Sequence, residues 1–427
     1  MNLKRNNEDV ISITGLGYVG LPLAIEFGSK FNVIAFDKNL ERISQLKNKI
    51  DKTEQINKKS FHTSKKIKFT NDIQDLKKAN IHIICVPTPV TKKNKPDFKL
   101  IKSATNSISK IIKRKDIIIF ESTFYPGMTE EICIPILEKK SKLKLNKDFF
   151  CGYSPERINP SDQEHTLTDI VKVVSATDKN SLKKIKNIYE KIIKAGVYTA
   201  PSIKSAEAAK VIENIQRDIN IAFMNELSKI FKLMNLDTKE VLQIAGTKWN
   251  FLNFSPGLVG GHCIGVDPYY LTYKSSQLGY DAKFILSGRE INNSVIKNIQ
   301  FDIKKIFISK GIYKRKKNVL ILGASFKENC PDFRNSKAVE LGKKYLKQGN
   351  KVDFYDPLID REDFFREENI KLIKKPKNSY YDLILLTVPH KIFSKIGVKK
   401  IKTYGKRNHI FYDVKSIFNK EDSDGRL

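Results

Sequence analysis

Short β-branched runs alternate with longer polar stretches through the first 200 residues of the chain. Val10–Thr14, Val33–Asp37, Ile81–Val86, Ile117–Ser122, Phe149–Tyr153 and Val171–Ser175 have the apolar character of strands. Between them, Leu21–Lys30, Leu40–Lys49, Leu100–Ile112 and Ser181–Lys194 have helical patterning. Alternation of this kind predicts a parallel sheet covered by helices on both faces. The period changes from Ser205 to about Asn235. There Ala208, Val211, Ile212, Ile215, Ile219, Ala222 and Phe223 recur at helical spacing, with no Pro or Gly. One long apolar helix is expected, suited to connecting domains and to forming a dimer interface. A loop-rich stretch, Gly246–Pro268, follows, then helices to about Ser309. Val319–Gly323, Val352–Asp356, Leu383–Val388 and Ile410–Val414 then predict a second set of strands. The fold class is therefore α/β: two Rossmann-like, doubly wound parallel-sheet domains joined by a long helix and a helical middle. The domain limits are set at 1–204, 205–312 and 313–427.

Composition changes this picture little. With 40% apolar and 10% aromatic residues, the 427-residue chain can bury more than one core. Its apolar runs are too short to cross a bilayer, and the polar N-terminus has no secretory core, so a cytoplasmic protein is expected. The net charge of +31 raises a nucleic-acid reading. Against that, the lysines are spread over nearly every segment, with one compact basic run at Lys314–Lys317. A diffuse positive field suits a diphosphate-bearing small molecule better. Of the 78 basic residues only 12 are arginine, so an arginine inside a motif is informative. Five scattered cysteines show neither a CxxC pair nor a zinc spacing, so no metal and no disulfide framework is expected.

The first strand runs into Gly15-Leu16-Gly17-Tyr18-Val19-Gly20 and then an apolar helix. Glycines at this spacing give a tight turn, close approach of backbone to a pyrophosphate, and close helix–strand packing. Asp37 closes the next strand, where a carboxylate binds adenosine ribose hydroxyls and repels a 2′-phosphate. NAD is the expected cofactor, with Arg42 against the adenine ribose. Two further strand ends, Val86-Pro87-Thr88-Pro89 and Glu121-Ser122-Thr123, lie where open α/β sheets bind ligands. Thr88 and Thr123 are candidate contacts, or turn and capping residues.

The chemical signal is strongest in Gly257-Leu258-Val259-Gly260-Gly261-His262-Cys263-Ile264-Gly265-Val266-Asp267-Pro268. Glycines let backbone press against a ligand around a single thiol, although a glycine-rich loop with a buried cysteine has the same look. Adjacent residues seldom point the same way, which weakens a His262–Cys263 dyad. Asp267-Pro268 also fits the start of a helix. On the long helix, Lys210 and Asn214 share a face at i,i+4, with Arg217 near the same stripe. Such a lysine is either a snorkelling stem or, with its asparagine, a positive charge and an amide donor aimed at one oxygen.

GLGYVGLPLA, VPTP, ESTFYPG, YSPERINP, AEAAKVIENIQRDINIAFMNE, GLVGGHCIGVDPYYLT and ILGASFKENCPDFRNSKAVEL occur in this order. Together they resemble the UDP-glucose/GDP-mannose dehydrogenase family, over about residues 10–414. GLVGGHCIGVDPYYLT is most similar to the branch acting on UDP-N-acetylhexosamines. The resemblance implies an N-terminal NAD domain, a central dimerisation region carrying the cysteine and a C-terminal UDP-binding domain. It implies that NAD, bound by Gly15, Gly17, Tyr18, Val19, Gly20, Asp37, Arg42, Pro87, Thr88 and Thr123, takes four electrons from a C6 hydroxymethyl. Cys263 would be the nucleophile, forming a thiohemiacetal and then a thioester. Lys210 and Asn214 would hold the oxygen, with Asp267, Glu156 and Thr123 completing the catalytic set. Arg157, Arg217, Gly260, Phe326, Lys327 and Arg334, with Glu156, Lys210 and Asn214, would bind the UDP-sugar; Arg289 is a weaker candidate. The implied substrate is UDP-N-acetylglucosamine first and UDP-N-acetylgalactosamine second, with UDP-glucose or UDP-N-acetylmannosamine as alternatives, and the product would serve capsule or lipopolysaccharide. The rival readings are a two-electron hydroxyacid dehydrogenase and a non-catalytic binding protein.

Overall fold

Ile81–Ile84 and Ile117–Phe120 are buried at every position in the computed structural model, as strands covered on both faces must be. The structure describes residues 9–53, 55–56, 58–64, 66–158, 166–313 and 315–427. Asn159 and Pro160 of the YSPERINP motif, and Lys314 of the basic run, lie outside them. Two units form, Met1–Glu213 with Tyr269–Tyr280, and Asn214–Pro268 with Asp281–Leu427.

The first unit holds an eight-stranded sheet. Its strands are β1 (Val10–Thr14), β2 (Asn32–Phe36), β3 (Ile67–Thr70), β4 (Ile81–Ile84), β5 (Ile117–Phe120), β6 (Phe150–Tyr153), β7 (Lys172–Ala176) and β8 (Val197–Thr199), in the spatial order 3-2-1-4-5-6-7-8. The first six run parallel in the order of a dinucleotide-binding fold. One departure from the expected all-parallel sheet is that β6 and β7 pair antiparallel, Gly152 opposite Ala176 and Tyr153 opposite Ser175. Sequence periodicity also missed β3 and β8, which have four and three residues. Both are edge strands, with too few buried positions to establish a period of two. VPTP therefore follows the fourth strand and EST the fifth. His82 is the polar residue inside β4. Its ring meets Ser12 Oγ at 2.7 Å and Asp116 at 3.2 Å, so this core imidazole is satisfied.

The second unit carries a five-stranded parallel sheet of β9 (Asn318–Leu322), β10 (Lys351–Tyr355), β11 (Tyr381–Leu386), β12 (Gly405–Asp413) and β13 (Gly425–Arg426), ordered 10-9-11-12-13. The helix Lys283–Ser309 sends Val295, Ile296, Ile299, Ile303 and Phe307 into the same core as β9, β11 and Phe354. The last helix of the expected helical middle is thus part of the C-terminal core. Among the described residues no helix is long and apolar enough to cross a membrane.

The two sheets share one device. In the first, Asp37, just beyond β2, accepts from Leu16 N–H at 2.9 Å. In the second, Asp356, just beyond β10, accepts from Ala324 N–H at 2.7 Å and Ser325 N–H at 3.1 Å. Each carboxylate holds the loop that leaves the neighbouring first strand. Asp356 is also bonded to the buried His390 ring at 3.0 Å. An amide at 356 would set an NH2 against one of these donors. Asp356→Asn should therefore lower stability by roughly 1–3 kcal/mol. The check is the urea midpoint of the purified variant, and an unchanged midpoint would show that the loop holds without this carboxylate.

Candidate active site

In the first unit the glycine loop is shaped by contacts that exclude side chains. Gly15 has φ +92°, and a Cβ on it would lie 3.0 Å from the Cys85 carbonyl oxygen. A Cβ on Gly20 would lie 1.8 Å from the Gly15 carbonyl oxygen, so the helix Gly20–Gly28 can start only with a glycine. Gly17 differs, since a Cβ there would meet no protein atom within 4 Å. Bare backbone at a helix N-terminus, with open space before it, fits a dinucleotide pyrophosphate. Asp37 is half-buried at the neighbouring strand tip, where a ribose would lie. Arg42, expected on the adenine ribose, also braces the frame. Its Nε donates to Leu16 O at 3.0 Å, and its guanidinium pairs with Asp51 at 2.9 Å.

The loops after β4 and β5 are also anchored. Ser122 Oγ donates to Val86 O at 2.6 Å, and Tyr270 Oη donates to Pro89 O at 3.1 Å. Thr88 and Thr123 are partly accessible on these loops, and Pro87 is exposed. Beyond Thr123, the buried Glu207 carboxylate accepts from Gly127 N–H, Thr129 N–H and Thr129 Oγ. Glu207 lies three residues before Lys210 on the helix Ile203–Leu233, so it fixes the Thr123 loop to that helix. Burial pushes its carboxyl up to about 7, against the pull of those three donors. Lys210 itself is only 5% exposed, which rules out a stem that snorkels into water.

Glu156 closes this half. It sits just after β6, with Oε1 accepting from Arg157 N–H at 2.6 Å and Oε2 from Lys172 Nζ. Lys172 also donates to Glu121 at 2.9 Å, and Tyr189 Oη donates to the same Glu121. Burial pushes the Glu121 carboxyl up. Burial alone would pull the Lys172 ammonium down, but the two carboxylates outweigh it and hold it above its ordinary value. Arg157 pairs with Glu213 at 3.3 Å. The sequence marks Glu156 as a site candidate and Glu121 only as part of a strand end, and it gives Lys172 no role. The available signal is a lysine at the first position of the strand KVVSA.

In the second unit the cysteine turn is built around its own backbone. Cys263 O accepts from Val266 N–H at 3.0 Å and Asp267 N–H at 2.9 Å, and the helix Asp267–Gln277 starts there. Asp267 is thus the first residue of that helix. Its buried carboxylate accepts from Asn214 Nδ2, and Asn214 Oδ1 accepts from Arg217. The structure therefore brings together three residues that were 53 positions apart at their widest. Cys263 is exposed, whereas Cys85, Cys133, Cys151 and Cys330 are buried. Burial pushes the Cys85, Cys133 and Cys151 thiols up, away from reactivity.

The glycines of this turn have an internal role. A Cβ on Gly260 would lie 2.6 Å from Asn335 O, and one on Gly261 (φ +82°) would lie 2.6 Å from the Phe326 ring. Gly260, expected against the substrate, is bare because the 326–335 loop packs there. His262 turns to that loop as well, with Nε2 3.1 Å from Asp332 Oδ2 and its ring edge-on to Phe326. It is not a base for the neighbouring thiol. Burial raises the Asp332 carboxyl, but hydrogen bonds from His262 and Arg334 outweigh it and hold it well below the usual range. Arg334 is 51% exposed and Lys327 lies over the Phe326 ring at 5.9 Å, so this loop presents cations and an aromatic face. Arg289 is buried and pairs with Asp218, which also accepts from Asn292 Nδ2 at 2.7 Å. That network ties the long helix to Lys283–Ser309, a packing role for Arg289.

Three family models match in sequence order. They are the NAD binding, central and UDP binding domains of the UDP-glucose/GDP-mannose dehydrogenase family, at residues 9–193, 204–294 and 320–420. The chain is 47% identical to the UDP-N-acetyl-D-glucosamine 6-dehydrogenase of Salmonella typhi, covering 99% of each chain. It is 46% identical to the protein of the same name from Pseudomonas aeruginosa, covering 98% of this chain and 99% of that one. Among solved structures it is similar to a UDP-D-ManNAc dehydrogenase from Pyrococcus horikoshii, with TM-score 0.87, 26% identity and 96% coverage of each. The chain belongs to the UDP-glucose/GDP-mannose dehydrogenase family. It is an NAD-dependent nucleotide-sugar dehydrogenase, and the bare backbone at Gly17 and the Asp37 carboxylate fit that cofactor.

The dehydrogenase carries its candidate residues in all three matched regions. The glycine loop, Asp37 and Glu156 fall in the NAD binding region, Lys210, Asn214, Cys263 and Asp267 in the central one, and Phe326, Lys327 and Arg334 in the UDP binding one.

Two measurements follow from these environments. Brief iodoacetamide treatment of the native enzyme should alkylate one thiol per chain, located at Cys263 by peptide mass, with the other four reacting only after unfolding. Labelling spread over all five would contradict the burial pattern. Glu207 gives a pH signature, since its folded value of about 7 lies above its ordinary 4.5. Between those values the folded state holds a proton that the unfolded state does not. Its contribution is complete below about pH 4.5 and lost as pH rises through about 7, bounded by roughly 3 kcal/mol. Glu207→Gln should flatten that part of the stability–pH curve. An unaltered slope between pH 5 and 8 would remove Glu207 as its source.

Proposed function

We propose that the protein oxidises the C6 hydroxymethyl of UDP-N-acetylglucosamine to a carboxylate through a thioester on Cys263. The observation that carries this reading is the placement of that thiol. It is the exposed cysteine of five, on a turn whose Asp267 is hydrogen-bonded to Asn214, one helical turn along from Lys210. The near-full-length identity to enzymes named for that substrate supports the choice of sugar.

The residues fit the demands of the chemistry. The Gly15–Gly20 loop and Asp37, with Tyr18, Val19, Pro87, Thr88 and Thr123, would hold NAD, which would supply the hydride acceptor for each of the two oxidations. Lys210 and Asn214 stabilise negative charge on the C6 oxygen as its proton passes by way of Asp267 to solvent and the aldehyde forms. The Cys263 sulfur adds to the aldehyde carbon, forming the C–S bond of a thiohemiacetal and preventing aldehyde escape. Loss of the second hydride leaves a thioester. Water then adds at that carbon, the C–S bond breaks, the thiol is restored and the acid leaves. Glu156 takes the proton of the attacking water, and Asp267 steadies the oxygen and assists proton transfer. Arg157, Arg217, Phe326, Lys327 and Arg334 hold the UDP-sugar, the arginines supplying forks that match phosphate oxygens. Gly260 shapes the substrate-side turn. Ile212, Phe223, Ile230 and Leu233 are exposed apolar residues on the long helix, which supports a homodimer. We place the reaction in the cytoplasm, with the uronic acid product destined for cell-surface polysaccharide.

The test is turnover with a panel of UDP-N-acetylglucosamine, UDP-N-acetylgalactosamine, UDP-N-acetylmannosamine and UDP-glucose, followed at 340 nm. Two NADH per UDP-N-acetylglucosamine consumed are expected, and none from Cys263→Ser or Cys263→Ala. A ratio of one, or full activity in either variant, would end the thioester route.

A further inference from the structure

The Glu121–Lys172–Glu156–Tyr189 cluster is the feature of the first unit that the reaction does not by itself explain. Two carboxylates, an ammonium and a phenol are all buried, and Lys172 sits between the two acids. A cluster of this kind is a poor stability device. Well-packed apolar residues of the same volume do as well or better, because each buried charge must first be stripped of water. Its geometry has a different consequence. Glu156 is held at both oxygens, Oε1 by Arg157 N–H and Oε2 by Lys172 Nζ. Lys172 is in turn held from the opposite side by Glu121, which Tyr189 Oη fixes, and its Nζ lies 5.5 Å from the centre of the Tyr189 ring. β7 carries Lys172 and pairs antiparallel with β6, and Glu156 follows β6 by three residues. The strand reversal is therefore what brings the lysine to the acid.

We propose that Lys172 is a positioning residue for hydrolysis of the covalent intermediate. It fixes the Glu156 carboxylate in one orientation and supplies the counter-charge that a buried carboxylate needs. It touches neither sugar nor cofactor in this role. The proposal rests on the reading of Glu156 as the carboxylate that activates water. Its signature separates it from a packing role. If only the last step depends on Lys172, both oxidations still run and the acyl group stays on Cys263.

The experiment is rapid mixing of Lys172→Met with NAD and UDP-N-acetylglucosamine, followed at 340 nm and by intact-protein mass. The expected result is a burst approaching two NADH per active site, a steady-state rate lower by about 10²-fold, and a protein mass raised by the acyl group. Lys172→Arg, which keeps the charge, should hydrolyse the adduct at a rate nearer wild type. If Lys172→Met does not fold, the Glu121→Gln/Lys172→Met pair, which removes one acid with the cation, takes its place. Burst and steady state falling together, wild-type turnover, or an equal stall in the Met and Arg variants would each overturn the proposal. Glu156→Gln is the parallel arm. Normal turnover there removes the hydrolytic reading of Glu156 and this proposal with it. A stall there beside normal hydrolysis in the lysine variant removes Lys172 alone.

Discussion

The hydrogen bond from Asn214 to the buried Asp267 carboxylate is the link on which the arrangement of the nucleophile depends. Asn225, further along the long helix, holds the start of the same segment, accepting from Gly257 N–H at 2.8 Å and donating to Gly257 O at 3.1 Å, and the Asp267 bond adds a second tie ten residues on, closing a loop that would otherwise fix no orientation. With it, the first residue of the helix that starts at Asp267 is fixed to Asn214 of the helix Ile203–Leu233. Cys263 follows, because its carbonyl accepts from Asp267 N–H and Val266 N–H. Both partners are buried, so breaking the bond would cost the acid and the amide a hydrogen bond in a low-dielectric setting. Arg217 extends the chain by donating to Asn214, which leaves the amide only one orientation.

The glycine content of the cysteine turn is explained by the same need for registration. Glycine-rich loops around a nucleophile suggest backbone pressed against a ligand, and Gly17 in the first unit has that character. Gly260 and Gly261 do not. Their missing side chains make room for Asn335 and Phe326 of the neighbouring loop, and His262 reinforces this contact through Asp332. Nucleophile turn and cation-bearing loop are thus packed as one piece. Whatever positions Phe326 and Arg334 also positions the turn from which the thiol emerges.

Much of this was legible in the sequence, because the signals were local. Long buried strands such as IHII and IIIF show themselves by composition, and the Gly15–Gly20 loop by spacing. The helix from residue 203 to 233 shows itself by an unbroken period. Each depends on residues within one turn or one strand of each other. What was not legible depended on pairing. β3 and β8 are too short to have a period, and the antiparallel β6–β7 contact has no mark in either strand. Arg42 carries no sign in the sequence that it bonds to Leu16 O and pairs with Asp51. Lys172 was hidden most completely, since one lysine in an apolar strand is ordinary until the two acids that flank it are located. The motif residues Lys210, Asn214 and Asp267 were found by spacing and resemblance. That Asn214 bonds to Asp267 was not readable from either.

The same loop-holding carboxylate occurs in both sheets, yet it leaves the two units with different capacities. Asp37 and Asp356 each follow a second strand and accept backbone N–H groups from the loop after the first. A carboxylate has about four acceptor positions, and the use made of the remainder decides what the loop can bind. At Asp356 the His390 ring takes a further position and seals the group in the core. Asn329 N–H then donates to the other ring nitrogen at 2.8 Å. No ribose hydroxyl can reach that oxygen without displacing the imidazole. Among the described residues no histidine bonds to Asp37, which stays partly accessible next to the loop that carries Gly17. The shared frame can thus serve a dinucleotide in the first unit. In the second it can serve only through the residues its loops carry outward, Phe326, Lys327 and Arg334.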